Sequence, residues 1–403
     1  MDVHNAFLHG DLEEEVYMKM PPGFQSADPN KVCRLRKSLY GLKQAPRCWF
    51  AKLSTALVDY GFEQSLGDYS LFTYEKGTTR LHLLVYVDDL IIAGSSLKAT
   101  KSFKLYLSTC FHMKDLGDLK YFIGIEVARN STGIYLCQRK YALDILAETG
   151  LLESKPVNFP LEQNHKLAVS KSHLLADPAP YRCLLGRLIY LGVTRPDLAF
   201  SVHVLAQFMQ KPRLDHWFAA LRVVRYLKTD PGQGILLRSD KNFQLTGWCD
   251  SDWGSCPLTR RSVTGYFVQF GDSPVSWKTR KQKTVSRSSA EAEYRAIAML
   301  VQELIWLKRM LLTLGVLHPQ SMIVFCDSKS AIYIATNPVF HERTKHIELD
   351  LHFVRDEVLT RNILLRHVDS KSQLADVLTK AIGRDGFEIF RSKLGIRNLY
   401  APA

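Results

Sequence analysis

The stretch LHLLVYVDDLIIAG, Leu81 to Gly94, places two adjacent aspartates inside an otherwise apolar segment. Neighbouring side chains on a β-strand point to opposite faces, so two adjacent acids in mid-strand would straddle the sheet. At the tip of a hairpin, both acids can face the same region of space. The segment therefore predicts a β-hairpin that carries Asp88 and Asp89 at its turn.

Two adjacent carboxylates are costly to bury, because like charges resist ionising together. A divalent cation makes such a pair tolerable, and it is also what phosphoryl-transfer chemistry requires. An ordinary turn that contains aspartates is the alternative, and the spacing alone leaves it open. The hairpin tip is therefore a candidate metal site.

The composition indicates a globular chain that attracts polyanions. Of its 403 residues, 46% are hydrophobic, which is enough for two or three domains. The formal net charge of +13 favours a nucleic-acid partner, with a merely solvated basic surface as the alternative. The cysteines form no CxxC pair, so neither a zinc finger nor a disulfide framework is expected. With no secretory signal and no apolar run long enough to span a bilayer, we expect an intracellular protein that has no membrane partner.

Four further acids lie in the second half of the chain, each at a distinct kind of element. Asp250 lies on the predicted strand of LTGWCDSDWGS, and Asp327 ends the apolar strand MIVFC. Glu293 lies one turn before Ile297 on the apolar stripe of a long helix, and Asp376 lies in a short terminal helix. Surface acids near turns are the common alternative for such residues. Glu291 is different, because it fits a Ser-x-x-Glu helix cap that begins at Ser288.

Several long motifs resemble the Pol polyprotein of copia-type LTR retrotransposons, and they occur in that family's order. They are MDVHNAFLHGDLEEEVYMKMPPGF (1–24), SLYGLKQAPRCW (38–49), LLVYVDDLIIAGS (83–95) and DLGDLKYFIGIEV (115–127). The resemblance extends over nearly the whole chain. It implies RNA-directed DNA synthesis coupled to ribonuclease H cleavage of the RNA in RNA–DNA hybrids.

The implied fold class is α/β, in four parts. An α+β reverse transcriptase palm would span residues 1–160, a helical thumb or connection 161–240, a ribonuclease H-like α/β domain 241–385 and a tail 386–403. Because the chain begins at the first catalytic motif, we expect an N-terminal truncation that removes most of the fingers and puts polymerase activity in doubt.

The resemblance also implies two sites that each hold two Mg²⁺ ions, with Mn²⁺ as an alternative ion. The palm ligands would be Asp2, Asp88 and Asp89, and the nuclease ligands would be Asp250, Glu293, Asp327 and Asp376. Asp252 is expected to be structural. His367 would assist proton transfer or product release, although a structural histidine fits equally well.

Nucleic-acid contacts are implied at three places. Phe7 falls where the family crowds a ribose 2′-hydroxyl, although a core aromatic fits as well, and Gln44 and Arg47 would contact the incoming nucleotide and the template. In the run SWKTRKQKTVSR (276–287), a solvated loop is the alternative to tracking phosphates. The residues concerned in that run are Trp277, Lys278, Arg280, Lys281, Lys283 and Arg287.

The implied partners are an RNA template, a DNA primer, an RNA–DNA hybrid and dNTPs, in a cytoplasmic virus-like particle or the nucleus. Three functions stay open: the bifunctional enzyme, a fragment with ribonuclease H activity alone, and a non-catalytic relic that binds nucleic acid. A zinc site formed by His341, His346 and His352 is not favoured, since no CxxC lies nearby.

Overall fold

A computed structural model describes residues 1–24, 28, 30–337 and 348–398, which form two compact units. The first comprises Met1–Leu119 with Arg309–Leu317, and the second comprises Lys120–Lys308 with His318–Ala403. Both helices and sheets occur in each unit, so the predicted α/β class is confirmed. The predicted domain bounds at 160, 240 and 385 stay a prediction. Within the described residues, no helix is both long and apolar enough to cross a membrane.

The first unit contains a six-stranded antiparallel sheet, a separate hairpin and two helices. Its strands are β1 (Asp2–Val3), β2 (Asp11–Met18), β3 (Cys33–Lys37), β4 (Glu63–Gln64), β5 (Leu71–Lys76), β6 (Thr79–Tyr86), β7 (Asp89–Gly94) and β8 (Met113–Lys114). The helices are α1 (Ala45–Tyr60) and α2 (Leu97–Cys110). The sheet order is β4-β5-β6-β7-β1-β8, and β2 pairs with β3.

Apolar spacing explains how the two helices cover this sheet. Trp49, Leu53 and Leu57 recur every four residues on α1 and are buried in one core with the inward side chains of β6. The predicted hairpin is confirmed, because β6 and β7 pair in antiparallel register with Tyr86 opposite Asp89.

The second unit contains two five-stranded sheets. Its strands are β9 (Tyr121–Phe122), β10 (Ile125–Asn130), β11 (Gly133–Cys137), β12 (Gln233–Arg238), β13 (Leu245–Asp252), β14 (Val263–Phe270), β15 (Ser273–Lys281), β16 (Met322–Cys326), β17 (Ile363–His367) and β18 (Ile396–Asn398). One sheet has the order β18-β12-β11-β10-β9 and the other β15-β14-β13-β16-β17. In the second sheet, β13 pairs antiparallel with β14 and parallel with β16, which in turn is parallel to β17.

The described residues after β9 contain eight further α-helices. They are α3 (Arg139–Glu148), α4 (Ala179–Leu191), α5 (Ala199–Ala206), α6 (Leu214–Thr229), α7 (Ser289–Thr313), α8 (Lys329–Thr336), α9 (Glu348–Leu359) and α10 (Arg384–Lys393). Of these, α7 ends in the first unit. The long helix expected around Glu293 corresponds to α7, and the strands expected to carry Asp250 and to precede Asp327 correspond to β13 and β16. Strand β12 and helix α9 were missed, and Asp376 lies in a 3-10 helix, Leu374–Leu378.

The long helix α7 lies close to β13 because of a glycine. A Cβ atom at Gly247 would lie 2.6 Å from Leu300 Cδ1, so a larger residue there would require Leu300 of α7 to move. The start of the helix follows the predicted cap, since the Ser288 hydroxyl accepts a hydrogen bond from the Glu291 amide at 3.2 Å. This packing fixes the position of the acids that α7 carries.

A buried ion pair lies inside the second unit. Arg195 Nη2 lies 2.8 Å from Asp197 Oδ2, and their side chains are 2% and 0% exposed. The Tyr226 hydroxyl donates to the same carboxylate at 2.6 Å, and Gln233 Nε2 donates at 3.2 Å. The pair therefore has the additional hydrogen bonds that a buried charge needs.

Candidate functional site

The palm acids predicted from the sequence lie at one corner of the first sheet. Strand β1 pairs with β7 so that Asp2 lies opposite Asp89, and Asp88 occupies the turn before β7. The Val3 amide donates to the Asp88 carbonyl at 2.9 Å, which holds β1 against this turn. Burial raises the pKa of Asp89, and the neighbouring charges of Asp88 and Asp2 raise it further.

The three palm carboxylates nevertheless do not form a tight cluster. In the described part of the chain, the groups of three potential metal ligands that lie within 4.8 Å of one another do not include Asp2, Asp88 and Asp89. The pairing of β1 with the hairpin thus brings the three backbones together, but the three carboxylates do not all lie within 4.8 Å of one another.

The turn between β6 and β7 is held in a strained conformation. Val87 has φ of 55°, a left-handed value that is rare for a β-branched residue. Trp49 Nε1 donates to the Val87 carbonyl at 2.7 Å from the buried face of α1. Trp49 was not predicted to take part in the site, and its only signal in the sequence is the apolar spacing of the helix.

The residues predicted to contact nucleotide and template lie elsewhere on the first unit. The Phe7 ring packs 4.8 Å from that of Tyr40, which agrees with a packing role. Gln44 Nε2 lies 3.3 Å from Glu14 Oε2, and Arg47 Nη2 lies 3.5 Å from Glu14 Oε1. Gln44, Arg47 and Glu14 line an open cleft of about 870 Å³. Contacts of Phe7, Gln44 and Arg47 with nucleic acid stay a prediction.

The four predicted nuclease acids do converge. Oxygen atoms of Asp250, Asp327 and Asp376 all lie within 4.8 Å of one another. Asp327 also belongs to a second group of the same size, with Glu293 and Cys326. The arrangement follows from the parallel pairing of β13 with β16, which brings the two strand ends side by side, while α7 and the 3-10 helix add the other two acids.

This acidic site is buried and lacks a full complement of positive charge. Asp250 is 2% exposed and Glu293 is 7% exposed. Burial, followed by the charge of Asp250, raises the pKa of Glu293 to about 10 and that of Asp376 to about 6. Burial likewise raises the pKa of Asp250. The Ser251 amide donates to Glu293 Oε1 at 3.1 Å and opposes the increase for Glu293. A cation at this position would relieve the crowding of like charges.

Neighbouring side chains that were not predicted complete the site. Lys380 Nζ lies 3.0 Å from Asp376 Oδ1 and 3.3 Å from Asp250 Oδ2. The Thr379 hydroxyl donates to Asp250, and the Ser370 hydroxyl donates to Asp327 Oδ2 at 2.9 Å. The sequence spacing of four residues between Asp376 and Lys380 could have predicted this ion pair, because residues four apart lie on one face of a helix. No pattern marked Thr379 or Ser370.

Two predicted residues border the acidic site. His367 ends β17 directly opposite Cys326 of β16, and its side chain is exposed. Asp252 lies two residues after Asp250 on β13 and belongs to neither ligand group. The roles assigned to His367 and Asp252 stay predictions. Of the three histidines considered for zinc, His341 and His346 lie outside the described residues, and His352 Nε2 lies 4.0 Å from Glu348 Oε1.

The side chains of the basic run at 276–287 differ in their exposure to solvent. Its exposed members are Lys278, Arg280, Lys283 and Arg287. Trp277 instead packs against the core and donates its indole N–H to the Gly192 carbonyl at 2.9 Å. Lys281 Nζ lies 3.1 Å from Cys256 Sγ and also bonds Gln207. The four exposed side chains are accessible to a phosphate from solvent. Binding of nucleic acid by any of the six residues stays a prediction.

The raised pKa values predict how the metal-free chain responds to pH. The folded pKa values of Asp376 and Glu293 exceed their usual values of 3.8 and 4.5, so the folded state binds these protons more tightly than the unfolded state. Stability is then present at low pH and is lost as the pH rises towards about 6 for Asp376 and about 10 for Glu293. We expect the melting temperature in EDTA to fall between pH 5 and pH 8, and saturating magnesium to remove most of that fall. An Asp376→Asn, Glu293→Gln chain should show a flatter profile in EDTA, and a parent profile that rises with pH would contradict the assignment.

Comparison with known proteins identifies the family of the chain. The profile of the family described as "Reverse transcriptase (RNA-dependent DNA polymerase)" matches residues 1–163. The chain is 45% identical over 397 residues to the retrovirus-related Pol polyprotein from transposon RE2 of Arabidopsis thaliana, which covers 98% of this chain and 27% of the relative. It is 33% identical over 308 residues to the putative transposon Ty5-1 protein YCL074W of Saccharomyces cerevisiae, covering 75% of this chain and 100% of that protein.

Among solved structures, a foamy viral protease-reverse transcriptase in complex with dsDNA aligns over 91% of this chain and 67% of that one, at 13% identity and a TM-score of 0.22. The chain spans about a quarter of the length of the RE2 polyprotein. The full-length match to the Ty5-1 protein and the match of residues 1–163 define the family. The chain belongs to the copia-type retrotransposon Pol polyproteins, and it contains their reverse transcriptase region.

Proposed function

We propose that this chain synthesises DNA on an RNA template and cleaves the RNA strand of the resulting RNA–DNA hybrid. The observation that carries the nuclease part is the convergence of Asp250, Asp327 and Asp376 within 4.8 Å, with Glu293 joined to them through Asp327. The polymerase part rests on the family and on the pairing of β1 with β7, which places Asp2 opposite Asp89.

The nuclease donor set fits magnesium. Carboxylate oxygens are the ligands that this hard cation takes in proteins, and buried carboxylates with raised pKa values need a positive partner. The residues that would hold it are Asp250, Glu293, Asp327 and Asp376. When bound, magnesium or manganese lowers the pKa of a water molecule and stabilises the charge that develops on the leaving oxygen.

Other residues of the chain fix the positions of the carboxylates and supply positive charge for the substrate. Hydrogen bonds from Ser251 to Glu293 and from Ser370 to Asp327 fix two of the carboxylates, so little reorganisation is needed when a substrate arrives. The exposed Lys278 and Arg280 alternate along the edge strand β15, where they can bind consecutive phosphates. A hybrid would be distinguished from DNA by its 2′-hydroxyl groups.

In the palm, Asp2, Asp88 and Asp89 would hold the ions that serve primer extension. The pairing of β1 with β7 and the turn before β7 bring the backbones of these three residues together. The hydrogen bond from Trp49 to Val87 fixes the turn on which two of them lie. Gln44 and Arg47, now paired with Glu14, would exchange that partner for nucleotide or template.

The test uses the purified chain with magnesium on a primed RNA template and on an RNA–DNA hybrid labelled in its RNA strand. Both extension and cleavage are expected, and an Asp88→Asn chain should lose extension while it retains cleavage. Cleavage without extension in the parent would indicate a nuclease fragment. Salt-sensitive binding with neither reaction would indicate a non-catalytic relic and would contradict the proposal.

A further inference from the structure

Lys380 occupies an unusual position beside the acidic site of the second unit. Its ammonium group lies 3.3 Å from Asp250 Oδ2 and 3.0 Å from Asp376 Oδ1. Asp250 and Asp376 are two of the three acids whose oxygens lie within 4.8 Å of one another. The ammonium group therefore draws on the same oxygen atoms that a divalent cation would use.

We propose that Lys380 is an internal counter-cation, which holds Asp250 and Asp376 together in the metal-free protein and competes with the divalent ion for them. This inference rests on the proposed metal centre of the nuclease. It makes Lys380 a positioning residue that sets how much magnesium the site requires.

The local geometry allows the Lys380 side chain to act in this way without a change in the backbone. The Lys380 amide donates to the Asp376 carbonyl at 3.0 Å, so the backbone of the two residues is joined independently of the side chains. The Lys380 side chain is 40% exposed, whereas those of Asp250 and Asp376 are 2% and 16% exposed. The flexible stem can thus move its ammonium group into solvent, while the carboxylates stay where the fold holds them.

Electrostatics explains why such a cation is needed. Two carboxylates this close and this buried repel each other, and one ammonium group reduces the repulsion between them. Asp327, the third member of the group, accepts a hydrogen bond from the Ser370 hydroxyl, which is a neutral group. A divalent ion supplies more positive charge than Lys380 can, and it therefore displaces the ammonium group from these carboxylates.

The experiment is a magnesium titration by calorimetry on the full chain. All variants carry Asp88→Asn and Asp89→Asn, so that the palm does not contribute to binding. In this background we compare Lys380→Met, which keeps the length of the side chain without its charge, with Lys380→Arg, which keeps the charge. A Lys380→Gln chain provides a second uncharged variant if the Met chain does not fold.

We expect magnesium to bind the Met or Gln chain about tenfold more tightly than the parent, because a charged hydrogen bond no longer has to be broken. The Arg chain should bind like the parent. In EDTA, the uncharged variants should melt at a lower temperature than the parent, and this difference should disappear at saturating magnesium. A purely structural role for Lys380 would lower the melting temperature in both conditions and would leave magnesium affinity unchanged.

Unchanged or weaker magnesium binding in the uncharged variants would overturn the proposal. An Asp250→Asn chain in the same background separates this result from failure of the metal centre itself. If Asp250→Asn abolishes binding while the uncharged variants bind like the parent, the role of Lys380 alone is wrong. If Asp250→Asn binds magnesium like the parent, the metal centre is wrong and the proposal for Lys380 falls with it.

Discussion

Replacement of Asp250 by asparagine is expected to reduce cleavage of the RNA strand in an RNA–DNA hybrid by about a thousandfold or more. Asp250 lies at the centre of the acidic site, since it bonds Thr379 and Lys380 and shares a ligand group with Asp327 and Asp376. Asparagine keeps the shape and one oxygen atom but removes the negative charge. The loss should therefore appear in catalysis and metal binding, with little change in the fold.

The matched control is Asp252→Asn. Asp252 lies on the same strand two residues later, but it belongs to neither ligand group, so its loss should leave most of the cleavage activity. Cleavage is measured as the initial rate on a labelled hybrid with saturating magnesium, and primer extension by the Asp250→Asn chain shows that the remainder is intact. Equal loss in the Asp252→Asn chain, or full activity in the Asp250→Asn chain, would contradict the assignment of the site.

The second large effect is a loss of stability, which is expected when the buried pair of Arg195 and Asp197 is broken. Burial raises the pKa of Asp197, but the charge and hydrogen bonds of Arg195, together with hydrogen bonds from Tyr226 and the backbone, lower it below its usual value, so the pair stays charged inside the protein. Arg195→Met removes the positive partner and leaves the buried carboxylate with hydrogen bonds from the neutral side chains of Tyr226 and Gln233. Breaking a buried pair in this way should lower the free energy of unfolding by about 3–5 kcal/mol.

Urea-induced unfolding of the full chain, followed by circular dichroism, measures this effect. The surface variant Arg384→Ala is the control, because it removes an exposed pair with Glu388 and should change stability by less than about 1 kcal/mol. The double variant Arg195→Met, Asp197→Leu removes both charges and should recover much of the loss. A single variant as stable as the control would show that this pair does not support the fold.

Several features of the molecule could be predicted from local sequence alone. The two apolar runs that flank Asp88 and Asp89 predicted the hairpin, and the Ser288 cap with its apolar stripe predicted α7. Such patterns are readable because strand and helix periods are set by the backbone over a few residues. The motifs also placed the chain in its family, which the comparisons confirmed.

Other features were not predicted because their sequence patterns were weak or ambiguous. Strand β12 spans only six residues between a turn and a polar segment, and it exists because β11 and β18 pair with it on either side. Trp277 stands in a basic run, yet its indole group turns inward to bond Gly192. In both cases a partner remote in sequence decided the outcome, which local propensity cannot show.

The sequence by itself thus determined the hairpin, the long helix α7 and the family to which the chain belongs. The tertiary structure alone decided that Asp250, Asp327 and Asp376 meet, that Asp2, Asp88 and Asp89 do not all lie within 4.8 Å of one another, and that Lys380 contacts two acids. The division has a physical cause. Backbone hydrogen bonds and side-chain periodicity act between near neighbours, whereas the distance between carboxylates far apart in the chain depends on how sheets and helices pack.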